Sequence, residues 1–345
     1  MQKIIVTGGA GYIGSHTLIE LIESKIFGSN YEIISLDNYS NSSEKTYGRI
    51  EKITGKKVKY YDIDLCDLEK TTEIFSKEEN IVGIIHFAAF KSVPESVANP
   101  HKYYYNNINS LLNLLEISVK FKIPNFIFSS SCSVYGNINS LPVKEDTILN
   151  KAVCPYAFTK QIGEQILSDY ANINMDLSII ALRYFNPVGA HKSALIGEDP
   201  INLPTSLVPV ITQNAIGRMS GMMVHGADYN TRDGSCIRDY VHVSDIAAAH
   251  TLALKHLLDQ KNSSNFDVIN LGSGNGVSVF EAITSFEKVS GQKLNYSIGP
   301  KRDGDVEAIY SDTAKSEKVL GWTPKFGLDE MIGSAWEWEQ KNSNV

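Results

Sequence analysis

Cysteine is scarce in this 345-residue chain, and the four residues present, at 66, 132, 154 and 236, lie far apart. That spacing matches neither a zinc site nor a secreted disulfide framework, so no metal is expected and a reduced, cytoplasmic setting is the default. Long apolar runs are missing too. None approaches the ~20 residues that cross a bilayer, and no membrane partner is expected. Basic charge is in deficit, with 32 Lys and Arg against 39 Asp and Glu for a formal net charge of -7. Without a basic stripe to neutralise a phosphate backbone, nucleic acid is not an expected partner. There is no internal repeat and no low-complexity tract. The opening residues MQKIIVTGGAGYIGS run straight into a strand and a glycine loop, so no signal or transit peptide is expected.

What is present is the composition of an ordinary globular protein about the size of two fused domains, 43% hydrophobic and 21% charged. Short apolar strands alternate with helical stretches: KIIVTG, YIGSHTLIELIES, EIISLDN, VKYYDIDL, VGIIHFAA and NFIFSSS. This βαβ alternation predicts an α/β fold with a parallel, doubly wound, Rossmann-type sheet. Val82 to Ala88 and Phe126 to Ser130 are nearly continuous apolar runs, as strands buried on both faces require. The polar stretch from Asn38 to Arg49 reads as a long loop or a short helix. After Arg183 the chain turns to Pro-, Gly- and Asn-rich loops, which predicts a smaller mixed α/β lobe. The boundary is placed near Asn186, giving a nucleotide-binding domain at 1–186 and a substrate-binding domain at 187–345, with some segments returning to the first.

Gly8, Gly11 and Gly14 in TGGAGYIGS follow a strand and open a helix. Glycines there let the backbone turn tightly and approach a pyrophosphate, whose charge then faces the helix N-terminus. Asp37 lies 23 residues beyond Gly14, at the end of the next strand. Its carboxylate can accept from both adenosine ribose hydroxyls and would repel a 2′-phosphate. No arginine follows at Asn38 or Tyr39, so NAD is favoured over NADP. The plainer alternative is a structural glycine turn with a surface aspartate.

Tyr156 and Lys160 share one helix face in PYAFTKQIGEQIL. In isolation such a pair is usually a surface pair. Here FIFSSSCSVYG, about 25 residues upstream, ends a buried strand in hydroxyls and puts Ser131 where the carboxyl edge of the sheet opens into a ligand crevice. A phenol with a pKa near ~10 is a poor base at neutral pH, but a neighbouring ammonium and a positive nicotinamide ring both favour phenolate. Lowering it by about three units takes roughly 4 kcal/mol of differential stabilisation.

With its GxxGxxG loop, serine and YxxxK, the chain resembles the extended branch of the short-chain dehydrogenase/reductase superfamily. Within that branch, TGGAGYIGSH, HFAAFKSVPESV, NFIFSSSCSVYG, LRYFNPVGAHKSALIGEDP and DGSCIRDYVHV are similar to segments of the UDP-glucose 4-epimerases, in the same order and almost end to end. The resemblance implies Tyr156 as general base and acid, Ser131 as its partner on the sugar O4, and Lys160 on the nicotinamide ribose. It implies further that Tyr12, Ile13, Asn38, Asp64, Leu65, Phe87, Ala88, Ala89, Lys91, Asn106, Tyr184 and Phe185 join the glycines and Asp37 around NAD. The related 4,6-dehydratases carry an Asp-Glu pair where this chain has Cys132 and Ser133. Without those carboxylates the chain can move a hydride but has little means of eliminating water.

A nucleoside diphosphate calls for hydrogen-bond donors and fixed positive charge, and arginine supplies both. By resemblance Arg238 and Arg302 take the UDP diphosphate, Asp305 the uridine ribose, and Asn186, Lys91, Ser206 and Leu207 further contacts to the UDP-hexose; the plainer alternative makes each arginine a surface residue in a salt bridge. Ser206 stands where relatives often have Asn, and His225 where an aromatic ring is common. Ile309 matches a position that limits space at the sugar C2, and its intermediate bulk leaves tolerance for N-acetylhexosamines open. The pocket wall would include Val93, Phe185 and Ile309. Rival readings are a UDP-glucuronate 4-epimerase, a dehydrogenase and a non-catalytic sensor. Relatives are commonly homodimers joined through the YxxxK helix and the one before it, here near Tyr103 to Lys120. Leu111, Leu112, Leu114 and Leu115 fit either that interface or a sheet-facing core.

Overall fold

The structure, a computed structural model, describes residues 1–28, 30–138, 140–201, 203–302 and 306–343. The alternating pattern of the first half becomes β1 (Gln2–Thr7), α1 (Tyr12–Glu23), β2 (Tyr31–Asp37), α2 (Lys45–Thr54), β3 (Lys59–Asp62), α3 (Leu68–Lys77), β4 (Ile81–His86), α4 (Val93–Ala98), α5 (Pro100–Lys120), β5 (Asn125–Ser131), α6 (Pro155–Ile173) and β6 (Ser178–Tyr184). Then follow β7 (Asn186–Val188), α7 (Leu207–Ala215), β8 (Met222–His225), β9 (Ile237–His242), α8 (Val243–Leu258) and β10 (Phe266–Leu271). The chain finishes with β11 (Gly276–Ser278), α9 (Val279–Ser290), β12 (Tyr296–Gly299), β13 (Ala308–Ile309), α10 (Ala314–Leu320) and α11 (Leu328–Asn342).

Seven strands pair in the order β10-β6-β5-β4-β1-β2-β3. The pairings from β5 through β4, β1 and β2 to β3 are all parallel. The expected α/β doubly wound sheet is therefore what the chain forms. Strand order reverses beside β1: β2 and β3 lie on one side of it and β4 on the other. At such a switch point the loops after the two strands diverge and leave a crevice at their carboxyl ends. The glycine loop after β1 and Phe87-Ala88 after β4 border it. β4 is shorter than the apolar run predicts: Phe87 N still donates to Thr7 O at 3.1 Å, but the ladder ends at His86.

The chain divides into two compact units: Met1–Gly136, Leu149–Arg183 and Ala247–Ile269 form the first, and Asn137–Ile148, Tyr184–Ile246 and Asn270–Val345 the second. In the first, Ile5, Ile34, Leu36, Ile84, Phe126 and Phe128 of the sheet bury against helix side chains including Leu167. Leu111, Leu114 and Leu115 of α5 belong to that core, whereas Leu112 is only half-buried. Their place is thus the core of this unit. The second unit centres on β9, which pairs antiparallel with β11 and parallel with β13 and β7. β8 and β12 make a separate two-stranded parallel sheet. α7, α9 and α11 contribute Ile211, Phe286 and Trp336 to this unit's core, the last two rings meeting edge to face at 5.4 Å. Among the described residues no helix is long and apolar enough to cross a membrane, and no group of three or more His, Cys, Asp or Glu side chains is placed to hold a metal ion.

Candidate active site

The glycine loop is built by backbone packing. Gly8 N donates to Leu36 O at 2.7 Å, Gly11 N to Gly8 O at 3.1 Å, and Ser15 N to Gly11 O at 2.9 Å, which starts α1. Gly8 sits at φ +69°, and a Cβ there would lie 2.7 Å from Ala88 N. A Cβ on Gly14 would strike the carbonyl oxygen of Gly8. Both positions therefore require glycine, one for conformation and the other for close approach. The first turn of α1, which includes Tyr12 and Ile13, carries no acid that would neutralise the positive end of the helix dipole, which suits an anion. Asp37 is buried at the end of β2, with Oδ2 accepting from Ala10 N (2.9 Å) and Oδ1 from Tyr39 N (3.0 Å) and Ser42 Oγ (2.8 Å). A carboxylate has about four lone-pair positions, so capacity for a further donor remains on Oδ2. Asn38 is used locally, its Oδ1 accepting from Ser40 N.

The rest of the expected NAD shell in this unit lies along the same strand ends. Phe87 meets the His250 ring at 4.6 Å, and Ala88 N points to Thr7 Oγ1 at 3.4 Å. Ala89 follows, half-buried. Lys91 is brought to the glycine loop, its Nζ 5.9 Å from the centre of the Tyr12 ring. Asp64 and Leu65 follow β3, where Asp64 Oδ1 caps Cys66 N and Leu65 O accepts from Asn113 Nδ2 of α5. Asn106 donates to Asn107, which in turn holds both backbone groups of Phe90 and donates to Thr159 of α6 at 3.2 Å. A glycine-lined backbone turn, a helix N-terminus and a carboxylate at the end of the second strand fit the pyrophosphate and adenosine ribose of NAD.

Ser131 is the last residue of β5, and its Oγ accepts from Ser133 N at 3.2 Å as the chain enters a turn over Cys132–Tyr135. α6 opens with Pro155, which needs no amide partner there, after Cys154, whose thiol accepts from Ala157 N. Tyr156 and Lys160, one turn apart, are both buried. Tyr156 packs with Tyr103, Cys154 and Ala157. Lys160 Nζ donates to Ser129 O at 2.6 Å and lies 4.7 Å from the centre of the Phe128 ring. Burial pushes its ammonium down to about 7, and the Glu164 carboxylate opposes that shift. His86, bonded to Thr7 Oγ1 at 2.7 Å, is held neutral, first by burial and then by the Lys160 charge, with its pKa down to about 3.

In the second unit β9 gathers three of the expected substrate residues onto one sheet. Ile309 pairs with Arg238 across β13, and Asn186 with Tyr240 across β7. Arg238 is half-buried, its Nη1 donating to Ile237 O and Val306 O at 2.9 and 2.6 Å. The buried Oδ1 of Asn186 has no hydrogen-bond partner, an acceptor left for a ligand. Tyr184 and Phe185 enter this unit, Phe185 N donating to Leu271 O. Ser206 caps α7 without a side-chain bond, Leu207 packs on the core, and His225 closes β8 opposite Gly299. These three stand on elements apart from β9. Arg302 is exposed after β12 and Val93 is exposed at the start of α4, while Asp305 lies outside the described residues.

Sequence reasoning missed several residues that shape the site: Thr7, His86, Asn107, Glu164 and Arg183. Only Glu164 had a local signal, a carboxylate four residues after Lys160 on the buried face of an amphipathic helix.

A glycine loop at the switch point of a doubly wound sheet, with a buried Ser, Tyr and Lys in the same unit, defines a nucleotide-dependent enzyme of the short-chain dehydrogenase/reductase type. The family model described as GDP-mannose 4,6 dehydratase matches residues 5–335. The UDP-glucose 4-epimerase of Bacillus subtilis (strain 168) is 46% identical over 343 residues, covering 99% of this chain and 98% of that one. The crystal structure of UDP-glucose 4-epimerase from Bifidobacterium longum in complex with NAD+ and UDP superposes with a TM-score of 0.92 at 43% identity, covering 99% of each chain. The structure of the UDP-Glc/GlcNAc 4-epimerase from Campylobacter jejuni superposes with a TM-score of 0.83 at 35% identity, covering 99% of this chain and all of that one. The chain belongs to the UDP-glucose 4-epimerase family.

Proposed function

We propose that the protein is an NAD-dependent epimerase that interconverts UDP-galactose and UDP-glucose at C4. The observation that carries this is the burial of Ser131, Tyr156 and Lys160 in the same unit as a dinucleotide loop, with Cys132 and Ser133 in place of the carboxylates that a dehydratase needs. When bound, NAD would supply a reversible hydride acceptor for C4 of the sugar. Tyr156 takes the O4 proton in the first half and gives it back in the second, with Ser131 bonded to O4. Lys160 keeps a positive charge near the phenol and holds the nicotinamide ribose. Arg238, Arg302 and Asn186 hold the UDP, so the keto sugar can turn while its diphosphate stays anchored. The first unit is thus the NAD-binding domain and the second the UDP-sugar domain.

The decisive experiment adds UDP-galactose to the purified protein without cofactor and follows both UDP-glucose and absorbance near 340 nm. Product without accumulating NADH is expected; stoichiometric NADH would instead indicate a dehydrogenase, and no product even with added NAD would refute the reading. The buried, intermediate-sized Ile309 and the dual-named Campylobacter jejuni relative support weak turnover of UDP-N-acetylhexosamines as well. A homodimer through α5 and α6 is supported by the exposed Tyr105, Val119 and Phe158 on those helices, and sedimentation of the purified chain tests it.

A further inference from the structure

One buried network in the first unit has no part in the chemistry above. Glu164 lies on α6 one turn beyond Lys160 and two beyond Tyr156. Its side chain and that of Arg183 are both more than nine-tenths buried. Glu164 Oε1 accepts from Ser130 Oγ at 2.5 Å and from Arg183 Nε at 2.8 Å, and Oε2 accepts from Arg183 Nη2 at 2.6 Å. Arg183 reaches on through Nη1 to the hydroxyl of Tyr135 at 3.1 Å. One carboxylate therefore joins four pieces of chain: α6, the end of β5 next to Ser131, the end of β6, and the turn that follows Ser131. The Phe128 ring completes the arrangement, since it lies under Lys160 and against Gly163, where a Cβ would stand 2.9 Å from it.

We propose that Glu164 is a positioning residue, which through Ser130 and Arg183 fixes α6 against the carboxyl end of β5 and so sets the spacing of Ser131, Tyr156 and Lys160. This rests on the epimerase reading of that trio. A buried ion pair of this kind adds little to stability compared with apolar side chains of similar size, so its presence calls for a geometric or electrostatic reason. The bidentate fork of the arginine gives orientation that a simple contact would not. There is an electrostatic side as well. The groups facing Lys160 include Glu164 and, on the epimerase reading, the Tyr156 phenol on its own helix, the neutral His86 of β4, the Phe128 ring and Ser129 carbonyl of β5, and, beyond Glu164, the Arg183 cation of β6. Glu164 is the one anion among them, so its loss removes support for the ammonium.

The test compares Glu164→Gln with the wild type, both with their retained NAD. The amide turns a donor toward Ser130 or Arg183, so kcat is expected to fall at least about tenfold, while the KM for UDP-galactose and the NAD content stay within about threefold. The alkaline limb of the kcat profile is expected to move to lower pH by about half a unit or more, because the ammonium has lost its anion. A purely structural role would lower thermal stability without moving that limb. The double variant Glu164→Met/Arg183→Met removes the ion pair without leaving a lone buried charge, and it carries the test if the single variant does not fold. It is expected to fold and to show the same loss of kcat, with a smaller shift of the limb because the Arg183 cation is removed together with the anion. Wild-type kcat in either folded variant, or an unmoved limb in Glu164→Gln, would overturn the proposal. An inactive wild type in the same assay would instead sink the epimerase reading.

Discussion

Replacing Lys160 by methionine exchanges a buried ammonium for an apolar side chain of similar length, and the structure gives the size and sign of the result. Burial takes the lysine from 10.5 to about 7. At about 1.36 kcal/mol per unit, the charged form carries a penalty of at most about 5 kcal/mol. The bond to Ser129 O and the Phe128 ring face, which methionine gives up, offset on the order of 3 kcal/mol of that. A gain of about 2 kcal/mol is therefore expected for nucleotide-free Lys160→Met at pH 6. Above pH 7 the native lysine sheds its proton while the unfolded chain keeps one up to about 10.5, so the unfolded state binds more protons and wild-type stability rises with pH. The slope is about 1.4 kcal/mol per pH unit, and the advantage of the variant should vanish near pH 8.5. Urea unfolding followed by circular dichroism at pH 6 and pH 9 measures both values. A variant less stable at pH 6, or a difference that is the same at both pH values, would refute the argument. Turnover should be lost throughout, the exchange of stability for function that a charge held at a reacting centre implies.

Tyr156→Phe should leave NAD retention and UDP binding intact while abolishing epimerisation, and near-normal turnover would remove Tyr156 as the base. Gly8→Ala places a methyl against Ala88 N in a left-handed backbone, so the purified protein should carry markedly less NAD and unfold at lower temperature; unchanged nucleotide content after heat release would contradict the proposed cradle. Asp37→Asn exchanges a charged acceptor for a neutral one, and NAD affinity measured by titration should fall about 10- to 100-fold. Ile309→Cys opens space beside Arg238, so turnover of UDP-N-acetylglucosamine should rise relative to UDP-glucose; no turnover before or after the change would refute the assigned size limit.

How much of this was legible beforehand follows from how local each signal is. The strands, the helices and the doubly wound class were readable because hydrophobic periodicity reports on backbone conformation within a few residues. The shortened β4 and the fate of Leu111, Leu114 and Leu115 were not, since both depend on what packs against them. The sequence alone also marked the residues of the candidate site that have fixed local spacing: Gly8, Gly11 and Gly14 with Asp37, and Tyr156 with Lys160.

Other features belong to the tertiary structure alone. Ala247–Ile269 returns to the first unit and adds β10 to the edge of its sheet. Asn186, Arg238 and Ile309, far apart in the chain, meet on one sheet because β9 pairs with both β7 and β13. Glu164 finds Ser130 and Arg183 across 34 and 19 residues. Spacing in the chain encodes a helix face or a tight turn, because a few dihedral angles fix both; a buried hydrogen bond between distant segments exists only once the sheet has brought its ends together, and no local pattern announces it.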